Sequence, residues 1–239
     1  LYMNRKGFSA AEIGIILTAS VISQQGLTFI GGMLGDRFSY RKIMIIGLII
    51  RIIGYIFFLF ASTMILFIIA SSFAGIGGAL LTPSTKASIA TEENLGGKAF
   101  ALRNVAVNLG ASLGPILGGL LYKISFELVF LIAALIHLIL LVLVVLYVKK
   151  FQNVMSNKMY IELKNIIKDK NIIYLTIVSS IFWMVYSQLN LSIPLYSNLH
   201  LHMGALIGTI FTLNGIIVIL FQLSLVSFFE SKYTCVNIL

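Results

Sequence analysis

The sequence predicts an all-α fold, a polytopic membrane helical bundle, and three observations lead to it. Apolar residues make up 59% of the 239 positions and charged residues 10%, against about 45–50% and about 25% in an ordinary soluble domain. A water-soluble particle of this length has too much surface to hide so much Ile, Leu, Val and Phe, whereas lipid removes that constraint. The formal charge of +9 comes from Lys and Arg gathered in short clusters between apolar runs. That is the footprint of membrane loops beside an anionic leaflet rather than of a nucleic-acid surface, so no nucleic-acid partner is expected. The apolar runs themselves recur at lengths near the roughly 20 residues that a membrane-crossing helix requires.

Seven such runs are expected as spans: 11–34, 43–61, 64–89, 99–122, 126–148, 171–195 and 203–229. The connections near 36–42, 90–98, 149–170 and 230–232 are charged, and those near 62–63, 123–125 and 196–202 are short and nearly neutral. The two kinds alternate, as loops on opposite faces must. Thirteen basic residues lie on the first set of loops and their helix ends: Arg37, Arg41, Lys42, Lys86, Lys98, Arg103, Lys149, Lys150, Lys158, Lys164, Lys168, Lys170 and Lys232. The other face carries Arg5, Lys6 and Lys123, so positive-inside counting places the charged loops in the cytoplasm and residues 1–10 outside. In the longest loop, Met159, Tyr160, Leu163, Ile166 and Ile167 recur at helical spacing opposite Lys158, Glu162, Lys164, Lys168 and Asp169. This predicts a short amphipathic helix on the cytoplasmic membrane surface. A single cysteine, Cys235, excludes an internal disulfide. The chain opens on Leu1 without a signal-peptide pattern, and Tyr233–Leu239 reads as the start of another apolar segment, so a fragment of a longer protein is expected.

The first span runs into Gly32-Met33-Leu34-Gly35-Asp36-Arg37-Phe38-Ser39-Tyr40-Arg41-Lys42. The glycines let two helices pack closely at the membrane edge. Asp36 is an acid among bases, able to pair with Arg37 or Arg41 or to cap a neighbouring helix N-terminus. The stretch resembles the signature loop of the major facilitator superfamily, G-x-L-a-D-r-x-G-r-k, which joins the second and third family helices. It departs from that pattern in Ser39, which replaces a glycine, and in Tyr40, which replaces a base. By the resemblance, Gly32, Asp36, Arg37 and Arg41 form a cytoplasmic latch between the transporter's two halves.

A second stretch, Gly110-Ala111-Ser112-Leu113-Gly114-Pro115-Ile116-Leu117-Gly118-Gly119, places Gly110, Gly114 and Gly118 on one smooth helix face, with Pro115 permitting a bend. It resembles the fifth-helix motif of drug/proton antiporters, g-x-x-x-G-P-x-x-G-G. Gly75 to Pro83 resembles the glycine-rich fourth family helix, with Ser71 or Ser72 where an arginine is common. Trp183, Tyr186, Gln188, Pro194, Asn214 and Gln222 resemble the polar and aromatic pattern of helices seven and eight, and Glu230-Ser231-Lys232 sits at a degenerate copy of the signature loop. The resemblance makes the seven spans family helices two to eight of twelve. Residues 1–148 then belong to the N-terminal six-helix half, 149–170 to the cytoplasmic linker, and 171–239 to the start of the C-terminal half.

Polar groups within spans are costly and are therefore candidates for function. Arg51 lies inside a span, where an arginine costs about 2.5–3.5 kcal/mol on insertion scales; a carboxylate across the bundle or backbone carbonyls can satisfy it. Gln24, Gln25, Asn108, Gln188, Asn190 and Asn214 can line a cavity or join helices, and His137 reads as packing. Glu12 and Glu127 lie near span ends, which leaves no acid deep in a span, so the proton-carrying group is expected in the first family helix, beyond this sequence. No phosphate-binding loop, metal-ligand cluster or nucleophile constellation appears, which argues against an enzyme and for no cofactor or metal.

The resemblance implies a secondary active transporter, monomeric at full length, in a bacterial inner membrane. It would export a lipophilic cation or neutral compound as protons enter, by alternating access. Alternatives are a transporter of a defined solute such as a sugar, amino acid or lipid, and an inactive truncated fragment. A seven-span retinal-type receptor would want a lysine in its last helix, and 203–229 has none.

Overall fold

The computed structural model describes residues 7–91, 96–148 and 169–196, together with helical positions 213, 215–217, 220–221, 224–225 and 228. Six helices are delimited: α1 Ala10–Phe38, α2 Tyr40–Phe60, α3 Met64–Ala90, α4 Gly96–Ile124, α5 Phe126–Tyr147 and α6 Lys170–Tyr196. No strand occurs among the described residues. Each helix matches one of the first six expected spans. The shortest, α2 with 21 residues, is about 32 Å long at 1.5 Å per residue, enough for a hydrocarbon core of roughly 30 Å.

Four of the helices are long and apolar enough to cross a membrane on length and composition: Ala11–Phe38, Tyr40–Phe60, Met64–Ala90 and Phe126–Tyr147. The 29-residue α4 is also long enough, and its stretch 105–122 carries no charged residue. The seventh span, the amphipathic linker helix and residues 230–232 fall wholly or mostly outside the described residues.

The helix starts follow from capping. Ser9 accepts from the Glu12 amide while the Glu12 carboxylate accepts from the Ser9 backbone, a reciprocal pair that satisfies two free donors of α1. Thr63 caps α3 through the Leu66 amide, Ser125 caps α5 through that of Leu128, and Asp169 takes the Asn171 amide at the start of α6. The short neutral connections therefore supply caps for the helices they introduce.

The chain divides into two compact units, Leu1–Phe100 with Leu113–Val154, and Ala101–Ser112 with Met155–Leu239. In the first unit α3 is the central element. It packs along both α1 and α2, and α2 packs in turn on α5. The seams are lined with small residues that bring backbone against backbone. A Cβ on Gly47 of α2 would lie 2.8 Å from the Gly77 carbonyl oxygen, and one on Gly77 would lie 2.5 Å from that of Gly47. Gly54 meets the Ala74 amide nitrogen at 2.7 Å, and Gly75 meets the Ser20 carbonyl at 2.5 Å, in the same sense. Pro83 lies inside α3 and has no amide hydrogen to give the Ala79 carbonyl one turn earlier. That carbonyl instead faces the Cα of Gly31 in α1, where only a hydrogen fits. Phe67, fully buried, closes one end of this unit with Ile16 and Ala61, edge-on to Phe8. Large apolar side chains such as Leu17, Ile22, Phe29, Phe60, Ile136, Ile139 and Leu146 point outward. Helices apolar on all sides suit a lipid surround.

In the second unit α6 displays Tyr174, Leu175, Phe182, Met184 and Val185 outward, with Phe182 and Tyr186 stacked at 6.0 Å. A Cβ on Gly215 would collide with the Ser112 hydroxyl and lie 3.9 Å from the Asn108 carbonyl. The segment around 215 therefore packs closely on the middle of α4.

Candidate functional site

The acid-and-base stretch 36–42, expected as a loop, is helical on both sides of a single residue. α1 continues through Phe38 and α2 begins at Tyr40, so the reversal rests on Ser39, with φ 127°. This is a backbone region that favours glycine, and Ser39 is the position where the resemblance expects one. Asp36 accepts a hydrogen bond from the Tyr40 hydroxyl at 2.8 Å; among the described residues it pairs with neither Arg37 nor Arg41. Arg37 is exposed, its guanidinium 5.4 Å from the Phe38 ring centroid. Arg41 donates through Nη2 to the Val145 carbonyl in the last turn of α5. A cation there satisfies a free C-terminal carbonyl and complements the helix dipole. Gly32 sits beside Pro83, whose side chain would be 3.8 Å from a Cβ there. A Cβ on Gly35 would lie 3.1 Å from both Ser84 Oγ and the Tyr40 ring, so this glycine lets α3 and Tyr40 close over α1. Ser84 is 1% exposed, and among the described residues its hydroxyl has no hydrogen-bond partner.

A second polar group gathers near the middle of α1, α2 and α3. The Gln24 amide of α1 and the Arg51 guanidinium of α2 meet over Gly78 of α3. A Cβ on Gly78 would lie 3.1 Å from Gln24 Cδ, 3.2 Å from its Nε2 and 3.4 Å from Arg51 Nη1. Arg51 Nε donates to the Tyr55 hydroxyl at 3.2 Å, one turn along α2. Of the two sources of satisfaction open to Arg51, carboxylate or backbone, neither is used among the described residues; a phenol takes one of its five donors. Tyr55 packs on His137 of α5 at 4.9 Å between centroids, and the His137 Nδ1 lies 2.8 Å from the Ala133 carbonyl of its own helix. His137 is thus a packing residue that backs Tyr55.

The remaining candidates are dispersed. Asn108 donates to the Asn104 carbonyl at 2.9 Å within α4. Gly110, Gly114, Pro115, Gly118 and Gly119 all lie in the unbroken helix α4, and among the described residues a Cβ on Gly110, Gly114 or Gly118 would meet nothing within 4 Å. Gln188 and Asn190 fall in α6, and Asn214 lies outside the described residues. Glu12 is held in the α1 capping box, and among the described residues no group of three or more His, Cys, Asp or Glu gathers as a metal site would need.

A family profile described as Major Facilitator Superfamily matches residues 1–234. The chain belongs to the major facilitator superfamily. It is similar to an uncharacterized MFS-type transporter of Mycobacterium tuberculosis, 35% identical over 100 residues, or 41% of this chain and 24% of the relative. It is also similar to multidrug resistance protein MdtH of Aeromonas salmonicida, 28% identical over 88 residues, or 37% of this chain and 22% of the relative. MdtH of Yersinia pestis is 27% identical over the same length. The matched stretch spans under a quarter of these curated relatives.

As a superfamily member the chain is a multi-pass membrane protein of a transporter family. Three residues of its polar groups escape reading from sequence: Tyr40, Tyr55 and Gly78. The signal for both tyrosines is present, since Asp36–Tyr40 and Arg51–Tyr55 stand four apart, where helix side chains meet. Gly78 has no such signal, because its role depends on two other helices converging on it.

Proposed function

We propose that the full-length protein is a secondary active transporter of the inner membrane, working as a monomer, that exports lipophilic compounds in exchange for protons by alternating access. The observation that carries the drug-efflux branch is the Gly110–Gly119 run within one continuous helix, α4. A glycine-faced helix with an internal proline offers a smooth surface and a tolerated bend for two halves that rock about a midplane site. The names of the MdtH relatives support the same branch. Residues 1–148 form part of the N-terminal half, 149–170 the linker and 171–239 the start of the C-terminal half. Asp36, Arg37, Arg41 and Gly32 make up the latch at the cytoplasmic end, with Arg41 tethered to α5 and Asp36 held by Tyr40.

The test is efflux of a lipophilic dye from cells or proteoliposomes under an imposed proton gradient. Asp36→Asn is expected to abolish efflux while membrane insertion persists; unchanged efflux removes the latch. Unrelated lipophilic dyes are expected to compete with one another.

A second reading, transport of one defined solute, is favoured by Arg51, whose unused donors suit a specific polar group. Saturable uptake of a single polar solute without dye competition would select it.

A further inference from the structure

The guanidinium of Arg51 has five N–H donors in a planar fork. Nε is bonded to Tyr55, and among the described residues the Nη hydrogens meet no acceptor. The described acids of the same unit are held elsewhere or stand at helix ends: Glu12 in its capping box, Asp36 on Tyr40, and Glu127 in the first turn of α5. A cation left this way at mid-span is expensive, and a charge-assisted partner relieves it. Its surroundings are also shaped for a partner. α1 and α2 flank α3, and the missing side chain of Gly78 lets Gln24 and Arg51 lie together against α3, where any Cβ would press on both. The Gln24 amide brings two further donors to the same spot.

We propose that Arg51 and Gln24, over the floor formed by Gly78, bind an anionic oxygen group of the transported compound, with a carboxylate as the prime case. The inference deepens the export reading and rests on it for the word transported. Arg51 supplies the bidentate fork, Gln24 an amide hydrogen, and Tyr55, backed by His137, fixes the fork's orientation through Nε. A lipophilic acid is accepted and a lipophilic cation is repelled, which reverses the charge preference that the family resemblance alone suggests.

The experiment is isothermal titration of the purified full-length protein with a lipophilic aryl carboxylate and with its methyl ester, which keeps the shape and removes the charge. The acid is expected to bind about 10–100-fold more tightly than the ester, the scale of one to two charge-assisted hydrogen bonds. Arg51→Gln is expected to abolish that difference and leave ester binding in place. Gly78→Ala, which keeps every charge but crowds the floor, is expected to weaken the acid several-fold and the ester less. Equal binding of acid and ester by the wild-type protein overturns the proposal. So does an acid preference that survives in Arg51→Gln. If Arg51→Gln fails to fold, Arg51→Lys, which retains the charge without the fork, is expected to keep only part of the preference, and full retention counts against the site. Transport of both compounds is read separately in proteoliposomes: binding without any transport refutes the export reading and leaves the binding site standing.

Discussion

Replacing Gly77 by alanine is the sharpest probe of how the first unit is held together. The added methyl would sit 2.5 Å from the Gly47 carbonyl oxygen, 2.7 Å from Arg51 Cβ and 2.8 Å from the Arg51 amide nitrogen. Two of these three atoms are backbone, so no rotamer change relieves the contact and α2 must move away from α3. An ordinary carbon–oxygen contact needs roughly 0.7–1 Å more room, and a gap of that size forfeits about a quarter to a half of each dispersion contact along the seam. Overpacking of this kind costs about 1–3 kcal/mol, offset by about 1 kcal/mol of better helix propensity. The expected net loss of up to about 2 kcal/mol lowers the thermal midpoint by up to about 8 °C for a protein of this size, and the gap to a variant that gains only the propensity is about 1–3 kcal/mol. Gly26→Ala is the control, because among the described residues nothing lies within 4 Å of its Cβ and only the propensity gain remains. Thermal unfolding of the purified variants, followed by size-exclusion fluorescence, decides the matter. Equal midpoints for Gly77→Ala and Gly26→Ala would refute backbone-to-backbone packing as the source of cohesion.

Three further outcomes are expected. Ser39→Gly should raise the midpoint, since relief of about 1–3 kcal/mol of strain at φ 127° outweighs the extra freedom of glycine in the unfolded chain; a fall in the same unfolding assay would count against strain there. Arg41→Ala should destabilise by about 1–3 kcal/mol through loss of its bond to the Val145 carbonyl. Hydrogen exchange should show it first as faster exchange in the last turn of α5, and unchanged protection would dismiss the tether. Single cysteines at Arg37 and Lys42, on a Cys235→Ser background, should react with membrane-impermeant thiol reagents only from the cytoplasmic side; labelling from outside would invert the assigned topology.

The helices were legible because lipid imposes one rule that composition obeys openly: about 20 apolar residues per crossing. Their ends were less so. The expected first span stops at 34, but α1 runs to Phe38, since backbone hydrogen bonding continues past the apolar core wherever the chain does not break. The charged stretch 36–42 looked like a loop for the same reason that it is polar, yet polarity marks only the membrane edge, and Ser39 alone turns the chain. The capping box of α1 is readable as Ser9-Ala10-Ala11-Glu12, and it gives Glu12 a structural role at the helix start. Asp36, Arg41 and Arg51 could be singled out from residue type and depth. Their partners could not, because Val145 stands more than a hundred positions from Arg41 and Gly78 becomes a floor only once three helices meet. The open glycine face of α4 was visible as spacing, while Gly215 against Ser112 was not.

The carbonyl that Pro83 leaves free, seated on Gly31, has a mechanical meaning. Side chains that interlock can swap rotamers and let helices slip, but main chain resting on main chain has no spare conformers to use. Along the seam they share, α1, α2 and α3 should accordingly swing as one stiff plank. Whatever bending a transport cycle demands is left to the helices whose neighbours stand further off.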